Sequence, residues 1–289
     1  MDKVTLSDLS LRDITLDSLP RLKRLRESHF NTQSEVCTEL PLLMTEYMKK
    51  MDNPSDSPEL RAGKRLKCLL ARKRPLIRED DLLAGTTTTK IKGVVIYPQF
   101  MAQALWPELE TLSSRKKNPY RISQDEIDTL NFDVFPYWMD RTVQEVCRRD
   151  YNNPASLRMM ERLVFFLCSK VHVISHTVPD YEVVVKEGLT SIKKKVEEKE
   201  SQTDFYEAIK MVLEGVITYA NKLSKEAESL AEKETDLVRK EELMAINRAC
   251  QRVPQEAPAT FQEALQAIWI CHIALHQENN NIALSLGRL

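Results

Sequence analysis

The sequence predicts a mainly helical protein with a few short strands. Between residues 204 and 252, apolar side chains recur every three or four positions, which is typical of long helices with one buried face. Residues 38–51 and 57–73 carry the same pattern over shorter lengths. Short β-branched segments, which favour extended backbone, occur near 82–98, at 171–178 and toward the carboxyl end. We therefore expect helices to supply most of the core.

The composition bounds the class of protein. The chain has 289 residues, of which 42% are hydrophobic, enough for one large domain or two ordinary ones. A net charge of -1 offers no broad basic surface to nucleic acid or anionic lipid. The sequence has no signal peptide and no apolar run long enough to span a membrane. Its six scattered cysteines suit a reducing compartment, so we expect a cytoplasmic protein.

The amino-terminal part divides into a lead-in and the start of one domain. Residues 1–29 form a polar lead-in and a basic helix, which we interpret as a solvated helix face. The domain covers residues 30–289. Residues 82–90 and 93–98 form either a strand pair or two extended segments, and helical texture resumes from 99 to 114.

Two capping boxes and an aromatic cluster mark the later helices. The first box is at Ser123-Gln-Asp-Glu126 and the second places Thr260 and Glu263 at the start of an apolar helix that should be buried. Residues 135–138, Phe-Pro-Tyr-Trp, are expected in the core.

Between these boxes the pattern predicts more buried helical faces. A helix over 155–170 is expected to bury Met159 and Met160, and the long helical pattern of 204–252 is expected to bury Phe205. That long pattern should break near Thr235-Asp236.

Residues 171–196 are the segment around which the chain is organised. A mixed-type stretch closes on Ser175-His176-Thr177, turns at Pro179-Asp180 and opens an amphipathic helix. Pro179 suits a first helical turn, and acidic residues there favour the positive end of the helix dipole. His176 is therefore expected immediately ahead of a helix start.

Two His-x-x-x-His pairs occur, His172/His176 and His272/His276. On a helix this spacing brings both imidazoles to one face, as a zinc site requires, but zinc also needs further ligands. Neither pair contains the glutamate of a His-Glu-x-x-His metalloprotease. We expect ordinary core or surface histidines and no bound metal.

The sequence gives little support for a phosphate-binding loop or a catalytic cysteine. The six glycines include no phosphate-binding loop. Cys168 and Cys271 lie on apolar helical faces, where a cysteine acts as a small hydrophobe, so we expect no catalytic cysteine.

Several stretches together resemble a known family. They are Ser175–Glu182 with Lys186–Leu189, then Pro258–Gln266, then Ser285–Leu289, supported by Arg74–Arg78 and the 82–98 region. In this order they are similar to the amino-terminal part of a glycyl radical enzyme. The resemblance is to the pyruvate formate-lyase-like family, in its dehydratase and decarboxylase branch, and covers about residues 30–289.

The resemblance implies a fold and a reaction class. The complete fold is an α/β barrel wrapped by helices, of which this chain is the amino-terminal portion (a PFL domain, incomplete). Family members, which belong to anaerobic metabolism, store a radical on a glycine and pass it to a cysteine thiyl. The thiyl abstracts hydrogen from a small organic substrate, and a C–C, C–O, C–N or C–S bond breaks, as in dehydratases, decarboxylases and formate acetyltransferases.

The resemblance also implies cofactor and partner requirements. A separate S-adenosylmethionine and iron–sulfur activating enzyme installs the radical, so no cofactor is expected on this chain. Neither a Gly-Cys-Val loop nor an Arg-Val-x-Gly-Tyr motif occurs in these residues. We expect a fragment, truncated product or split enzyme that is inactive alone. Its expected partners are the activating enzyme and either a second copy or the missing barrel half.

The resemblance places three residues at the substrate pocket. His176 matches a pocket histidine that could act as acid or base on a leaving hydroxyl, although capping of the following helix is an equal alternative. Ile282 and Ala283 match positions where several dehydratases present polar contacts, so an apolar lining and a less polar substrate are expected here.

A second hypothesis is that the chain descends from this family but has no catalytic activity. The chain would then be a non-catalytic helical scaffold or interaction protein derived from the family. An exposed apolar face, where a barrel half would dock, would favour the enzyme fragment, and a closed polar surface would favour the scaffold.

Overall fold

The computed structural model describes residues 15–150, 154–161, 177–279 and 284–287. The described α-helices are α1 (Pro20–Asn31), α2 (Glu39–Lys50), α3 (Pro58–Arg72), α4 (Pro98–Leu105), α5 (Gln124–Asp128), α6 (Phe135–Trp138), α7 (Val143–Asp150), α8 (Pro154–Glu161), α9 (Tyr181–Glu197), α10 (Asp204–Lys233), α11 (Leu237–Arg252) and α12 (Phe261–Glu278). Leu16–Ser18 and Trp106–Ser114 form 3-10 helices, and Thr129–Val134 forms a π-helix. Two strands are described, β1 (Glu35–Cys37) and β2 (Gly93–Val95). The predicted mainly helical fold with few strands is confirmed.

The strands form a small parallel sheet that the sequence did not predict in full. Glu35 pairs with Gly93 and Cys37 with Val95. Residues 82–90 contain no strand and consist of bends and irregular backbone, so the predicted pairing of 82–90 with 93–98 is wrong, whereas β2 lies within the predicted 93–98 segment. There the Thr86 hydroxyl donates to the Thr88 carbonyl at 2.6 Å. Threonine hydroxyls that bond nearby backbone in this way compete with sheet formation.

The main core surrounds α10, against which α3, α9, α11 and α12 pack. Leu70, Tyr219, Leu223 and Ile270 are fully buried in it. The break predicted near Thr235-Asp236 is confirmed. The Asp236 carboxylate accepts from the backbone N–H groups of Val238 at 2.7 Å and Arg239 at 3.0 Å, which starts α11 as an N-cap.

The α3–α10 contact depends on two glycines. A Cβ at Gly63 would lie 2.8 Å from the Cα of Ala208, and one at Gly215 would lie 2.9 Å from the Cα of Lys67. Such separations are shorter than van der Waals contact, so only glycine lets the two helices approach this closely.

A second core lies between α2, α4 and α6. Phe135 and Trp138 are buried in it, as predicted. The Trp138 indole N–H donates to the buried Thr45 hydroxyl at 2.8 Å, so its polar atom has a partner. The predicted capping box is present, with the Ser123 N–H donating to the Glu126 carboxylate at 2.9 Å.

Two residues expected in the core are exposed. Phe205 lies in the first turn of α10 with 55% of its surface exposed, and Met159 on α8 is 44% exposed. Hydrophobic periodicity identifies the apolar face of a helix but not how far a neighbouring element extends along it. The expectation for Met160 concerns a side chain outside those described.

α1 is a solvated helix, as predicted, because none of its residues is buried. Ion pairs attach it to the domain. Arg21 pairs with Glu242 at 2.6 Å, and Arg24 pairs with Asp80. No helix in the described part of the chain is both long and apolar enough to cross a membrane.

Candidate functional site

The structure describes the residues that directly follow the predicted pocket residues, and these neighbours contact each other. His176, Ile282 and Ala283 lie outside the described residues. The residues that follow them, Thr177 and Leu284, form a parallel β-bridge, and the Ser285 N–H donates to the Thr177 carbonyl at 3.0 Å. The residue that follows His176 therefore meets the residue that follows Ala283, although about a hundred residues separate them in sequence.

The contact continues for several residues beyond the bridge. Gly287 adopts a positive φ of 76°, and a Cβ there would lie 2.8 Å from the Cγ1 of Val178. A side chain at Gly287 would therefore be strained and would push the two segments apart.

The start of α9 fixes the segment that follows His176. The Asp180 carboxylate accepts from the Val183 N–H at 3.3 Å and acts as the N-cap. The sequence suggested that Pro179 lies in the first turn of this helix. In the structure, Pro179 instead precedes the helix. The reason is that the capping side chain sits one residue after the proline and so defines the start.

Tyr181, the first residue of α9, connects this segment to α12. Its side chain is buried, and its hydroxyl lies 2.9 Å from Nδ1 of His272. Burial raises the pKa of Tyr181 to about 12, so the phenol stays protonated at neutral pH. This contact spans 91 positions in sequence and holds the helix start against α12.

His272 and His276 form a pair on successive turns of α12. Their Nε2 atoms are 3.2 Å apart. Trp269 stacks on His272 with ring centroids 5.8 Å apart and an interplanar angle of 19°. Burial lowers the pKa of both imidazoles, and the neighbouring His272 lowers that of His276 further. Both rings are therefore neutral at physiological pH.

The backbone around the histidine pair is also held. The Tyr97 hydroxyl donates to the carbonyl oxygen of His276 at 2.7 Å. Burial raises the pKa of the Cys271 thiol to about 12, so this cysteine remains a protonated, apolar side chain, in agreement with its expected packing role.

A cavity of about 390 Å³ lies at the carboxyl end of α12. Its apolar wall consists of Met44, Met48, Phe100, Trp138, Val143 and Val146. Glu278 and Arg65 also line it. Burial raises the pKa of Glu278, and the Arg65 guanidinium opposes this rise. α12 therefore ends beside a cavity that is partly open to solvent, four residues before the predicted lining residue Ile282.

Comparison with known proteins identifies the family. The family model described as "Pyruvate formate lyase-like" matches residues 13–289. The chain belongs to this family. Its relatives are glycyl radical enzymes of the dehydratase and lyase branch, as the resemblance predicted.

Relatives with curated functions include two enzymes. The isethionate sulfite-lyase of Nitratidesulfovibrio vulgaris is 29% identical over 292 residues, which cover 93% of this chain and 35% of the relative. The trans-4-hydroxy-L-proline dehydratase of Clostridioides difficile is 25% identical and is covered to 34% of its length.

Solved structures agree. A structure describing 1,2-propanediol dehydration in Roseburia inulinivorans superposes with a TM-score of 0.85 at 31% identity, covering 93% of this chain and 35% of that one. A glycyl radical enzyme from Archaeoglobus fulgidus gives 0.83 at 30% identity, with the same coverage. The chain thus spans about a third of the length of these pyruvate formate lyase-like relatives.

The contacts of the described glycines are packing contacts. None of the six glycines lies in an Arg-Val-x-Gly-Tyr sequence. Gly63 and Gly215 lie in the α3–α10 contact, and Gly188 packs against the backbone of Glu256 and Ala257. No group of three potential metal-binding side chains occurs among the described residues.

Sequence reasoning missed the residues that support the site. Tyr181, Trp269 and Tyr97 were not singled out, yet all three contact the His272/His276 pair. The spacing of Trp269, His272 and His276 at i, i+3 and i+7 was a signal, because it places three polar or aromatic side chains on one face of an apolar helix.

Proposed function

We propose that this chain forms the amino-terminal part of a glycyl radical lyase that breaks a C–C, C–O, C–N or C–S bond of a small organic substrate. The catalytic cysteine loop and the radical glycine would come from sequence outside these 289 residues. The observation that carries the proposal is the family match over residues 13–289, combined with coverage of about a third of each relative.

In this function the chain supplies one wall of the substrate pocket. His176 would donate a proton to the leaving group, a task for which the ordinary pKa of histidine is suited. Ile282 and Ala283 would contribute an apolar lining that favours a less polar substrate. The bridge between Thr177 and Leu284 supports this arrangement, because it joins the residues that directly follow His176 and Ala283.

The proposed reaction requires partners. The complete protein would receive its radical from an S-adenosylmethionine-dependent iron–sulfur activating enzyme and would work in an anaerobic cytoplasm. A second copy of the protein or a separate barrel half would complete the assembly.

The first test is the coding DNA beyond codon 289. We expect an open reading frame, continuous or interrupted once by a frameshift or stop, that encodes a Gly-Cys-Val loop and a distal Arg-Val-x-Gly-Tyr motif. If neither motif follows, the fragment proposal fails and the non-catalytic scaffold becomes the better reading.

The second test uses the complete, activated protein with a panel of small diols, amino acids, arylacetates and sulfonates. We expect His176→Ala to retain the glycyl radical signal in electron paramagnetic resonance but to lose turnover. Ile282→Ser and Ala283→Ser should shift preference toward more polar substrates. Unchanged turnover in His176→Ala would exclude its acid–base role, and Val178→Ala serves as a control just outside the proposed pocket.

A further inference from the structure

The geometry of the His272/His276 pair resembles one edge of a metal coordination sphere. Two imidazole nitrogens bound to a tetrahedral ion at 2.0–2.1 Å lie about 3.3 Å from each other. The Nε2 atoms of His272 and His276 are 3.2 Å apart. No rearrangement of the two side chains is needed to reach ligand spacing.

The ring orientations support the same reading. The ring centroids of His272 and His276 are 4.8 Å apart and the planes make an angle of 68°. Two imidazoles joined end to end by a straight N–H···N bond of this length would have centroids farther apart. The two rings therefore meet at an angle through their Nε2 atoms and are not aligned end to end.

The surroundings of His272 are those of a metal ligand. A ligating histidine usually donates its second ring N–H to an oxygen, which fixes the tautomer and leaves the other nitrogen free. The Tyr181 hydroxyl lies 2.9 Å from Nδ1 of His272 and can accept that proton. Trp269, stacked on the ring at 5.8 Å between centroids, restricts its rotation.

We propose that His272 and His276 bind a divalent metal ion that prefers imidazole, of the class of Zn²⁺, Ni²⁺ and Cu²⁺. Tyr181 and Trp269 orient His272, and water or an added ligand fills the remaining coordination positions. In the part of the chain that the structure describes, no third histidine, cysteine, aspartate or glutamate completes the site.

The test uses the 289-residue chain with His172 and His176 replaced by glutamine, so that one His-x-x-x-His pair remains. Zn²⁺ is titrated calorimetrically, and Cu²⁺ is followed by electron paramagnetic resonance and tryptophan fluorescence. We expect one ion per chain, hyperfine coupling to two imidazole nitrogens, and partial quenching of fluorescence. Trp269→Phe should remove the quenching that arises beside His272, because the remaining tryptophans lie elsewhere in the fold.

Variants assign the ligands. His272→Gln and His276→Gln should each weaken Zn²⁺ binding by about tenfold or more, and Tyr181→Phe by about tenfold, since it removes an outer-shell partner. His29→Gln is the matched control, because His29 is exposed on α1 and should leave binding unchanged. Circular dichroism and thermal unfolding verify that each variant is folded.

Three results would overturn the proposal: equal Zn²⁺ affinity in His276→Gln and His29→Gln, a Cu²⁺ spectrum with fewer than two imidazoles, or no binding at millimolar metal. The pair would then be two hydrogen-bonded histidines. These results bear only on the metal site and leave the proposed lyase function to its own tests.

Discussion

The α3–α10 contact and the attachment of α1 join helices to the same domain by opposite means. α3 and α10 approach through Gly63 and Gly215 and bury apolar side chains. α1 buries none of its residues and is attached through Arg21 and Arg24. Truncating a buried apolar side chain costs about 2–5 kcal/mol, whereas ion pairs near the surface contribute about 0–1 kcal/mol. The comparison teaches that the domain core does not depend on α1.

The largest loss of stability is expected when α3 and α10 are forced apart. We expect Gly215→Val to destabilise the protein by about 3 kcal/mol or more, because the new side chain would meet the Lys67 backbone and the helices would have to move apart. Urea unfolding measures the change. Glu228→Val is the matched control, since it adds a valine at an exposed position of α10 and should have little effect. A similar loss of stability in Gly215→Val and Glu228→Val would contradict close packing at Gly215.

Truncation of one leucine in each region sharpens the contrast. Leu70 of α3 has no exposed surface, so Leu70→Ala should cost about 2–5 kcal/mol through lost burial and a residual cavity. Leu22 of α1 is 51% exposed, and Leu22→Ala should change stability by less than about 0.5 kcal/mol. Both are measured by urea unfolding, and a cost at Leu22 close to that at Leu70 would show that α1 belongs to the core.

A smaller effect depends on pH. Glu214 lies 2.7 Å from the Lys67 ammonium of α3 and 2.6 Å from that of Lys193 on α9. These partners lower the pKa of Glu214 from 4.5 to about 2. A lowered carboxyl pKa stabilises the folded state above pH 4.5, and the contribution is lost as pH falls from 4.5 through about 2.

The size of this pH effect is limited because 37% of the Glu214 side chain is exposed. Solvent screening reduces the expected contribution to about 1 kcal/mol. The measurement is the stability difference between the wild type and Glu214→Gln at pH 7 and at pH 2. We expect the difference to fall to a small part of its pH 7 value at pH 2, and a difference that is independent of pH would show that the ion pairs do not stabilise the fold.

The smallest effect on global stability should come from α1 itself. Arg24→Ala removes the ion pair to Asp80, and we expect faster amide hydrogen exchange in residues 21–31 with an unchanged unfolding midpoint. High salt should produce the same acceleration in the wild type, because it screens exposed charges. Lys23→Ala is the control, since Lys23 pairs with Asp17 outside the helix. No change in exchange would mean that other contacts hold α1.

Local patterns in the sequence predicted the helices well. The division of 204–252 into α10 and α11 was correct because Asp236 is a strong capping residue with the right spacing to the following N–H groups. Thr260 caps α12 as expected, but the Glu263 carboxylate accepts from the Ala259 N–H at 2.6 Å and not from that of the cap residue. Local geometry decides which of two adjacent backbone N–H groups the Glu263 carboxylate contacts, and the sequence motif does not specify that geometry.

Contacts between distant segments were not predictable in the same way. The pairing of β1 with β2 and the contact of Tyr181 with His272 each join elements far apart in sequence. The hydrophobic pattern of a three-residue strand is too short to indicate which strand pairs with it. A tyrosine in the first turn of a helix has many possible neighbours. The candidate residues His176, Ile282 and Ala283 came from family resemblance, and their roles stay predictions.

The bridge between Thr177 and Leu284 also implies an order of folding. Joining two points about a hundred residues apart in an unfolded chain costs about 4 kcal/mol of loop entropy. One backbone hydrogen bond returns about 1 kcal/mol, so the bridge cannot form first. Once α9 to α12 have packed, they bring Thr177 and Leu284 close together. Most of the loop-closure entropy has then already been lost in the packing of the helices. The segments beside the proposed pocket should therefore assemble late, and they can separate while the helical core remains folded.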